Sequence, residues 1–423
     1  MKRFLTLLLV ILMLISSSNI IIYAKEAAPN VSADSAILMD ATTGTILYSK
    51  NMDDSYPPAS TTKTMTALLT LENSNLDDIV TVGKNPPYVD GSKIGIFEGE
   101  EISVRNLLYG MLLLSGNDCA VALAEHISGS TSAFADLMNK KAKELGALDT
   151  HFVNPSGLYD ENHKTSAKDL ALIMKALIKY PEFREISSTF SYKIPPTNKH
   201  PEGINLANEN KLINKNSMYY YNGADAGKTG YTIQSLHSYV ASAERNGQRL
   251  IVALVHDKNK TYFQDSRALF DYGFKNFELV PLYKKNELVT TVTEGDLNIP
   301  LLAQEDYYYV RDKSINEVPK VEVNKSNILS NKSFSRGDKL TDATMKLDNT
   351  TLPALQLDSG IDHKIPTLLN EKVFSSKGMN YLFLALKIIL GIFSFLVLLR
   401  IIIKINKKKK RQSKIKIYEN RNI

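Results

Sequence analysis

An apolar segment near the C-terminus constrains the fold of this 423-residue chain more than any other feature. The segment covers residues 381–403 and reads YLFLALKIILGIFSFLVLLRIII. At about 1.5 Å of rise per residue, a helix of this length crosses a hydrocarbon core of roughly 30 Å. Lys387 and Arg400 can extend toward the headgroups. The pattern predicts a transmembrane anchor; a helix in the membrane plane is the alternative, although Ser394 is the one polar residue within 388–399.

The residues that follow this segment are strongly basic. Residues 404–423 hold nine Lys or Arg against one Glu, a local charge of +8, so residues 1–403 carry −2 of the total +6. Lys and Arg concentrate on the cytoplasmic side of membrane helices. We therefore predict a basic cytoplasmic tail over 404–423 and a body outside the membrane. No nucleic-acid partner is expected, because the body itself is not basic.

Residues 1–24 have the pattern of a secretory signal peptide. Lys2 and Arg3 precede an apolar run over 4–15, and a cleavage point follows Ala24. An uncleaved anchor helix is the alternative, which the polar residues 16–19 disfavour. We expect export across the cell membrane, with the body tethered outside by the C-terminal segment.

Between these two segments the secondary-structure pattern changes once. A β-hairpin, a block of helices, a β-rich stretch with the turn Asn246-Gly247 and a final helix occupy residues 30–277. This order predicts an α/β domain in which a helical cluster is inserted into one antiparallel sheet. Residues 279–357 are short alternating runs and predict a small all-β domain, followed by a linker over 358–379.

Three short motifs carry the candidate chemistry. Ser60 and Lys63 open a helix directly after two prolines, Ser115-Gly116-Asn117 interrupts the helical block, and Lys228-Thr229-Gly230 lies on a predicted strand. Each motif alone is common by chance. Their order and their separations of 55 and 113 residues make them informative together.

The residue types in these motifs suit acyl transfer to a serine. A serine hydroxyl needs a base within hydrogen-bond reach, and Lys63 lies one helical turn from Ser60. Lys63 can act as that base only if burial or a second cation, for which Lys228 is the candidate, lowers its pKa. Ser115 is a candidate proton relay. Backbone N–H groups at the helix start can stabilise an oxyanion.

The remaining motif residues are candidates for substrate binding. Asn117 can hold a substrate amide, Lys228 and Thr229 a substrate carboxylate, and Gly230 leaves room for a substrate along the strand edge. The seven histidines form no metal-ligand pattern, so we expect neither a metal nor a cofactor. His237 lies near the third motif and is interpreted as structural, and Cys119, the single cysteine, as core filler.

These stretches resemble the low-molecular-mass penicillin-binding proteins, specifically the serine-type D-alanyl-D-alanine carboxypeptidases. The resemblance is carried by PPASTTKTMTALL, GSKIGIFEGEEISVRNLLYGMLLLSGNDCAVALAE, MNKKAKELGALDTHFVNPSGL and GADAGKTGYT, and it covers residues 33–277 strongly. It implies a β-lactamase/transpeptidase-like catalytic domain. The roles that it implies are Ser60 as acylated nucleophile, Lys63 as base, Ser115 and Asn117 in proton transfer and substrate holding, Lys228 and Thr229 on the terminal carboxylate, and the N–H groups of Ser60 and Tyr231 as oxyanion hole.

The resemblance also implies a substrate and an inhibitor class. The substrate would be the peptidoglycan stem pentapeptide, trimmed of its last D-alanine, and β-lactams would acylate Ser60. Three positions depart from the family pattern: Ile233 and Leu236 follow the third motif where an acidic residue and a glycine are frequent, and Tyr262 stands where many members carry arginine. These departures bear on turnover and substrate preference.

Two other functions stay open from the sequence. A β-lactamase-like hydrolase of class A needs a glutamate in an E-x-x-L-N segment, and the closest string, ENKLI from Glu209, lacks the asparagine. The additional β-domain and the anchor also favour the carboxypeptidase. A non-catalytic wall-binding pseudoenzyme would fit the departures near the third motif, but the intact Ser60, Lys63 and Lys228 argue against it.

Overall fold

The computed structural model describes residues 27–315, 317–324, 332–348, 350–365 and 376–419, the last range without the side chains of 376–378 and 414–419. The expected signal peptide over 1–24 lies outside the described residues. The described residues divide into two compact units. One is drawn from Met1–Lys285, Glu305–Glu322 and Thr344–Leu355, and the other from Asn286–Gln304, Val323–Ala343 and Gln356–Ile423.

The elements are numbered in chain order. The strands are β1 (Ser35–Asp40), β2 (Ile46–Lys50), β3 (Ile79–Thr81), β4 (Glu101–Ser103), β5 (Ser191–Ile194), β6 (Ile204–Ala207), β7 (Ala224–Thr232), β8 (Leu236–Arg245), β9 (Gln248–Asp257), β10 (Phe277–Tyr283), β11 (Leu288–Glu294), β12 (Leu297–Ala303), β13 (Tyr307–Asp312), β14 (Lys320–Val323), β15 (Lys339–Leu347) and β16 (Thr350–Ser359). The α-helices are α1 (Lys63–Asn73), α2 (Val104–Leu113), α3 (Asn117–Ser128), α4 (Thr131–Glu144), α5 (Ala167–Leu177), α6 (Pro181–Ser188), α7 (Tyr262–Asn276) and α8 (Ser376–Glu419).

A five-stranded antiparallel sheet forms the centre of the first unit. Its strand order is β2-β1-β9-β8-β7, so β7 lies at one edge. The predicted turn Asn246-Gly247 joins β8 to β9, and both residues have positive φ angles of 52° and 79°, as a two-residue hairpin requires. Both faces of the sheet are buried. On β1, Ile37 and Met39 belong to one apolar core, whereas Ala36 and Leu38 belong to another.

The helices lie on both sides of this sheet. α1 to α6 come between β2 and β7 in the chain, which confirms the predicted insertion of a helical cluster into one antiparallel sheet. α7 contributes Leu269 and Phe270 to the second core. Pro181 is the first residue of α6, a short helix that was not predicted from the sequence. Proline suits that position because its missing N–H would have no intrahelical partner there.

The C-terminal part of the chain is rich in β-structure, in agreement with the predicted all-β domain. β10 pairs with β13 in the first unit. In the second unit β11 pairs with β12, and β12 with the end of β16 through Leu301 and Ser359. β16 thus continues two residues past 357, and residues 366–375 of the predicted linker lie outside the described residues.

The predicted membrane anchor lies within α8, a helix of 44 residues. Within Met379–Ser413 an 18-residue window has a mean hydropathy of 2.7, and this stretch is long and apolar enough to cross a membrane. The large apolar side chains over 381–405 are exposed, as those of a lipid-facing helix would be.

Candidate active site

Ser60 lies on a strained turn directly before α1. The turn is a 3₁₀ helix over Ala59–Thr62 that continues into α1, so the serine precedes the α-helix that the sequence predicted it to open. Ala59 has a φ of 49°, a backbone conformation that non-glycine residues rarely adopt. Gly157 supports the turn: a Cβ atom on it would lie 1.8 Å from the Ala59 carbonyl oxygen. A side chain at position 157 would therefore displace the backbone that positions Ser60.

Lys63 is completely buried beneath Ser60. Its Nζ lies 2.9 Å from Ser60 Oγ and donates to Asn117 Oδ1 and to the Ser156 carbonyl oxygen, each at 2.7 Å. Burial and, after it, the neighbouring Lys228 ammonium lower the pKa of Lys63 well below its ordinary value. Burial and a second cation, which the sequence prediction named as alternatives, therefore both act on Lys63.

The second motif forms the sharp turn between α2 and α3. Ser115 is buried with a φ of 60°, and Asn117 is the first residue of α3. The Asn117 side chain bridges two segments, because its Oδ1 accepts from Lys63 and its Nδ2 donates to the Asp90 carbonyl oxygen at 2.6 Å. Its backbone N–H donates to the Ser92 carbonyl oxygen at 2.7 Å.

Asp118 is a supporting residue that the sequence analysis missed. Its buried carboxylate accepts hydrogen bonds from the backbone N–H groups of Ile94, Gly95 and Ile96. These bonds hold the segment that carries Ser92 next to the second motif. The sequence signal was an acidic residue in the first turn of a helix directly after that motif.

The third motif lies on β7, the edge strand of the central sheet. Lys228 is buried, and its Nζ donates to the Thr229 carbonyl oxygen at 2.8 Å. Burial lowers the pKa of Lys228 to about 8. Gly230 lies against the Ser60 turn: a Cβ atom there would be 2.9 Å from Ser60 N and from the Pro58 carbonyl oxygen. The glycine thus allows the strand to approach the nucleophile, and the free strand edge can pair with an extended peptide.

A cleft of about 670 Å³ opens at this point. Five of the predicted site residues line it, whereas Lys63, Asn117 and Lys228 are buried and do not belong to its lining. The predicted lining residues are Ser60, Ser115, Thr229, Gly230 and Tyr231. The other lining residues were not among the site residues predicted from the sequence; they are Ser92, Glu209, Lys211, His237, Lys260, Tyr262 and Phe263.

Aromatic rings form one wall of the cleft. His237 stacks on Tyr231 at 4.4 Å between ring centroids and lies 5.7 Å from Tyr262. His237 therefore contributes to the cleft rather than to the core or a remote surface. Burial raises the pKa of Tyr262 to about 12, so its hydroxyl stays neutral at the position where the resembling family often carries arginine.

Neither a cation site nor a reactive thiol adds to this chemistry within the described residues. No group of three or more His, Cys, Asp or Glu side chains in the described part of the chain is arranged to hold a metal ion. Cys119 is buried among apolar side chains, and burial raises the pKa of its thiol well above the ordinary value, as expected for core filler.

Several known proteins are similar to this chain in sequence and in fold. The chain is 38% identical over 268 residues to D-alanyl-D-alanine carboxypeptidase DacF of Bacillus subtilis, covering 62% of this chain and 67% of the relative. It is 35% identical over 310 residues to DacD of Escherichia coli, covering 69% and 76%. The structure of penicillin-binding protein 5 from Haemophilus influenzae matches 80% of this chain and 99% of its own, with a TM-score of 0.68 at 30% identity.

Two family models account for most of the chain. Residues 277–364 match the C-terminal domain of penicillin-binding protein 5, in the region where the structure has the C-terminal strands. Residues 23–259 match the peptidase S11 model, described as D-alanyl-D-alanine carboxypeptidase, and include all three motifs that meet at the cleft. The chain therefore belongs to the peptidase S11 family of D-alanyl-D-alanine carboxypeptidases.

Proposed function

We propose that Ser60 is the acylated nucleophile with which this carboxypeptidase removes the terminal D-alanine from peptidoglycan stem pentapeptides. The observation that carries the proposal is the set of contacts around Lys63. A neutral amine has two N–H groups and one lone pair. Asn117 Oδ1 and the Ser156 carbonyl oxygen can only accept, so they take the two N–H groups and leave the lone pair for the Ser60 hydroxyl.

Acylation then begins with transfer of the Ser60 proton to Lys63 Nζ. Ser60 Oγ attacks the carbonyl carbon of the penultimate D-alanine, and the carbonyl oxygen becomes an oxyanion. The backbone N–H groups of Ser60 and Tyr231 would stabilise this charge, which is consistent with the close approach of β7 to the Ser60 turn at Gly230. The C–N bond breaks, and the leaving amine takes a proton relayed from Lys63 through Ser115.

The substrate would lie along the free edge of β7. Its terminal carboxylate would accept from the Thr229 hydroxyl, while the buried Lys228 supplies positive charge from behind the cleft wall. Asn117 would hold the peptide amide beside the nucleophile. After D-alanine leaves, Lys63 activates a water molecule that hydrolyses the Ser60 ester, which releases the tetrapeptide and restores the hydroxyl.

The same nucleophile would be acylated by β-lactams, whose strained amide occupies the place of the scissile bond. The amine of the opened β-lactam stays attached to the acyl group and hinders the approach of water, so the penicilloyl adduct persists long enough to be observed. This adduct gives the most direct test of the proposal.

The test is intact-protein mass spectrometry after incubation with benzylpenicillin, together with D-alanine release from diacetyl-Lys-D-Ala-D-Ala. We expect one covalent adduct per chain, loss of both adduct and release in Ser60→Ala, and retention of both in Ser92→Ala, a matched change in the same cleft. An adduct on Ser60→Ala, or none on the unchanged protein, contradicts the proposed nucleophile. Rapid nitrocefin turnover without D-alanine release would instead support a β-lactamase.

The apolar segments over 4–15 and 381–403 support a location of this activity at the membrane. We propose that residues 1–24 direct export, that 381–403 span the membrane within α8, and that 404–423 remain in the cytoplasm. The catalytic domain would then face peptidoglycan from the outer side of the cell membrane. Protease added to intact spheroplasts should remove the catalytic domain and leave a C-terminal epitope tag protected; cleavage of the tag would contradict this topology.

A further inference from the structure

Glu209 lies in the cleft beside the third motif, and the mechanism above does not use it. Its side chain is exposed, lines the cleft with Ser60, and accepts a hydrogen bond at Oε2 from the Thr229 hydroxyl at 3.2 Å. Thr229 is the residue to which we assigned the terminal carboxylate of the substrate. An anionic side chain thus already occupies the hydrogen-bond donor that an anionic substrate needs.

Hydrogen bonds of the Glu209 backbone and of the next residue hold Glu209 in place. The Glu209 N–H donates to the Leu113 carbonyl oxygen at 3.2 Å, at the end of α2 and two residues before Ser115. The next residue, Asn210, is buried and accepts at Oδ1 from the Tyr239 hydroxyl at 2.6 Å. Tyr239 is paired with Thr229 across β7 and β8. Glu209 is therefore held between the second and third motifs.

The negative charge of Glu209 acts on the pKa of both buried lysines. Its carboxylate opposes the effect of burial on the pKa of both Lys63 and Lys228, and it helps to raise the pKa of Tyr262. Two cationic residues, Lys211 and Lys260, also line the cleft. A substrate carboxylate entering beside Thr229 would meet these cations and one fixed anion.

Resting on the proposed function, we propose that Glu209 is a specificity-determining residue that competes with the substrate's terminal carboxylate for the Thr229 hydroxyl. A threonine hydroxyl has one hydrogen to donate, so it serves either Glu209 or the substrate. When the substrate takes it, two carboxylates lie close together and repel each other. The site consequently binds an anionic C-terminus more weakly than its motifs alone would allow and discriminates less against an uncharged C-terminus.

The experiment compares two substrates that differ only at this end: diacetyl-Lys-D-Ala-D-Ala and its C-terminal amide. In Glu209→Gln we expect KM for the acid to fall about fivefold to tenfold at low ionic strength, because one repulsion between like charges is removed. KM for the amide should stay unchanged, and the effect on the acid should shrink in high salt. Glu202→Gln removes the same charge from an exposed residue outside the cleft lining and should alter neither value.

A second variant separates charge from hydrogen bonding. Glu209→Asp keeps the charge on a shorter side chain, so KM for the acid should stay closer to that of the unchanged protein than in Glu209→Gln. Equal changes in KM for acid and amide would overturn the proposal. A fall in kcat with a longer-lived penicilloyl adduct in Glu209→Gln would also overturn it, because that result would assign Glu209 to hydrolysis of the ester.

Binding constants measured in the Ser60→Ala background keep this test independent of catalysis. If the unchanged protein releases no D-alanine, the proposed function fails, yet the acid-to-amide Kd ratio with Glu209 or Gln at this position still decides the role of Glu209. If Glu209→Gln left the acid-to-amide ratio of Kd unchanged, the inference about Glu209 would fail while the proposed function would stand.

Discussion

Asn117 Oδ1 lies 2.7 Å from Lys63 Nζ, although the two residues are 54 positions apart in the chain. This bond joins the second motif to the first and orients the base toward the nucleophile. The Ser156 carbonyl oxygen, 93 positions from Lys63, completes the arrangement at the same distance. Both partners are acceptors, so they favour the orientation of Lys63 in which its lone pair faces Ser60.

Lys228 should control the acid limb of the pH profile of acylation. Its ammonium lowers the pKa of Lys63, so Lys228→Met should raise that pKa and move the acid limb to higher pH. KM for a carboxylate substrate should rise about tenfold or more, because the positive charge behind the cleft wall is lost. The shift is measured from the rates of acylation by benzylpenicillin between about pH 5 and 9. This range includes the pH at which folded proteins are ordinarily most stable.

The basic limb of the pH profile gives a second measurement of the role of Lys228. The pKa of Lys228 lies at about 8, so its charge is present below that pH and lost above it. Carboxylate binding should therefore weaken above pH 8 in the unchanged protein and not in Lys228→Met. Lys228→Arg keeps the charge and should retain affinity at high pH; an unaltered profile in both variants would contradict this role.

Gly230→Ala should slow acylation severely. The new Cβ would approach Ser60 N, Thr61 N and the Pro58 carbonyl oxygen within 2.9–3.0 Å, and all three are backbone atoms that cannot move cheaply. Displacement of β7 or of the Ser60 turn would spoil the oxyanion site, at a cost of about a hundredfold or more in rate. The matched control is Gly83→Ala, which should leave acylation near normal. Its Cβ would come closer than 3 Å to the flexible end of Glu125, whereas Pro86 lies at an ordinary contact distance of 4.0 Å.

Asp118→Asn should lower stability and acylation together. The substitution turns one oxygen that accepts backbone N–H groups into a donor, so buried groups lose their partner at a cost of about 1–3 kcal/mol. The segment that carries Ser92 would then hold the backbone N–H of Asn117 less firmly. Urea denaturation and benzylpenicillin acylation measure the two effects. Asp136→Asn, at an exposed position, should change neither, and an unimpaired Asp118→Asn variant would refute the supporting role.

His163 should make the domain sensitive to acid. Its Nε2 lies 2.9 Å from Thr62 Oγ1, its Nδ1 accepts from the Val153 N–H, and burial lowers its pKa from 6.5 to about 4. The folded state therefore favours neutral His163. The associated stability is complete above pH 6.5, falls as the unfolded chain takes up a proton below it, and is lost by pH 4, a total of about 3 kcal/mol.

The measurement is the free energy of unfolding between pH 7 and 4 for the unchanged protein and for His163→Gln. Glutamine can accept from Val153 and donate to Thr62 without titrating, so the variant should lose less stability on acidification. His126→Gln, at an exposed position, should follow the unchanged protein. Parallel curves for the unchanged protein and His163→Gln would show that His163 is not the cause.

Much of the fold was predictable because its signals are local. The turn Asn246-Gly247 specifies the β8–β9 hairpin through backbone conformations that few residue pairs adopt. Gly146, with a φ of 75°, follows α4 and has the left-handed conformation in which a glycine commonly ends a helix. Helix α6 and the short pair β5–β6 were missed, because they are brief and their stability comes from packing rather than from their own periodicity.

The sequence by itself determined the three motifs, their elements and the apolar C-terminal helix, since each depends on residues adjacent in the chain. The tertiary structure alone decided what surrounds them. The pairing of Lys63 with Ser156, the support of Asp118 for a distant loop, and the entry of Glu209 and His237 into the cleft all join segments far apart in sequence. Such contacts follow from how the helices and the edge strand pack, and packing leaves no local pattern from which they could be predicted.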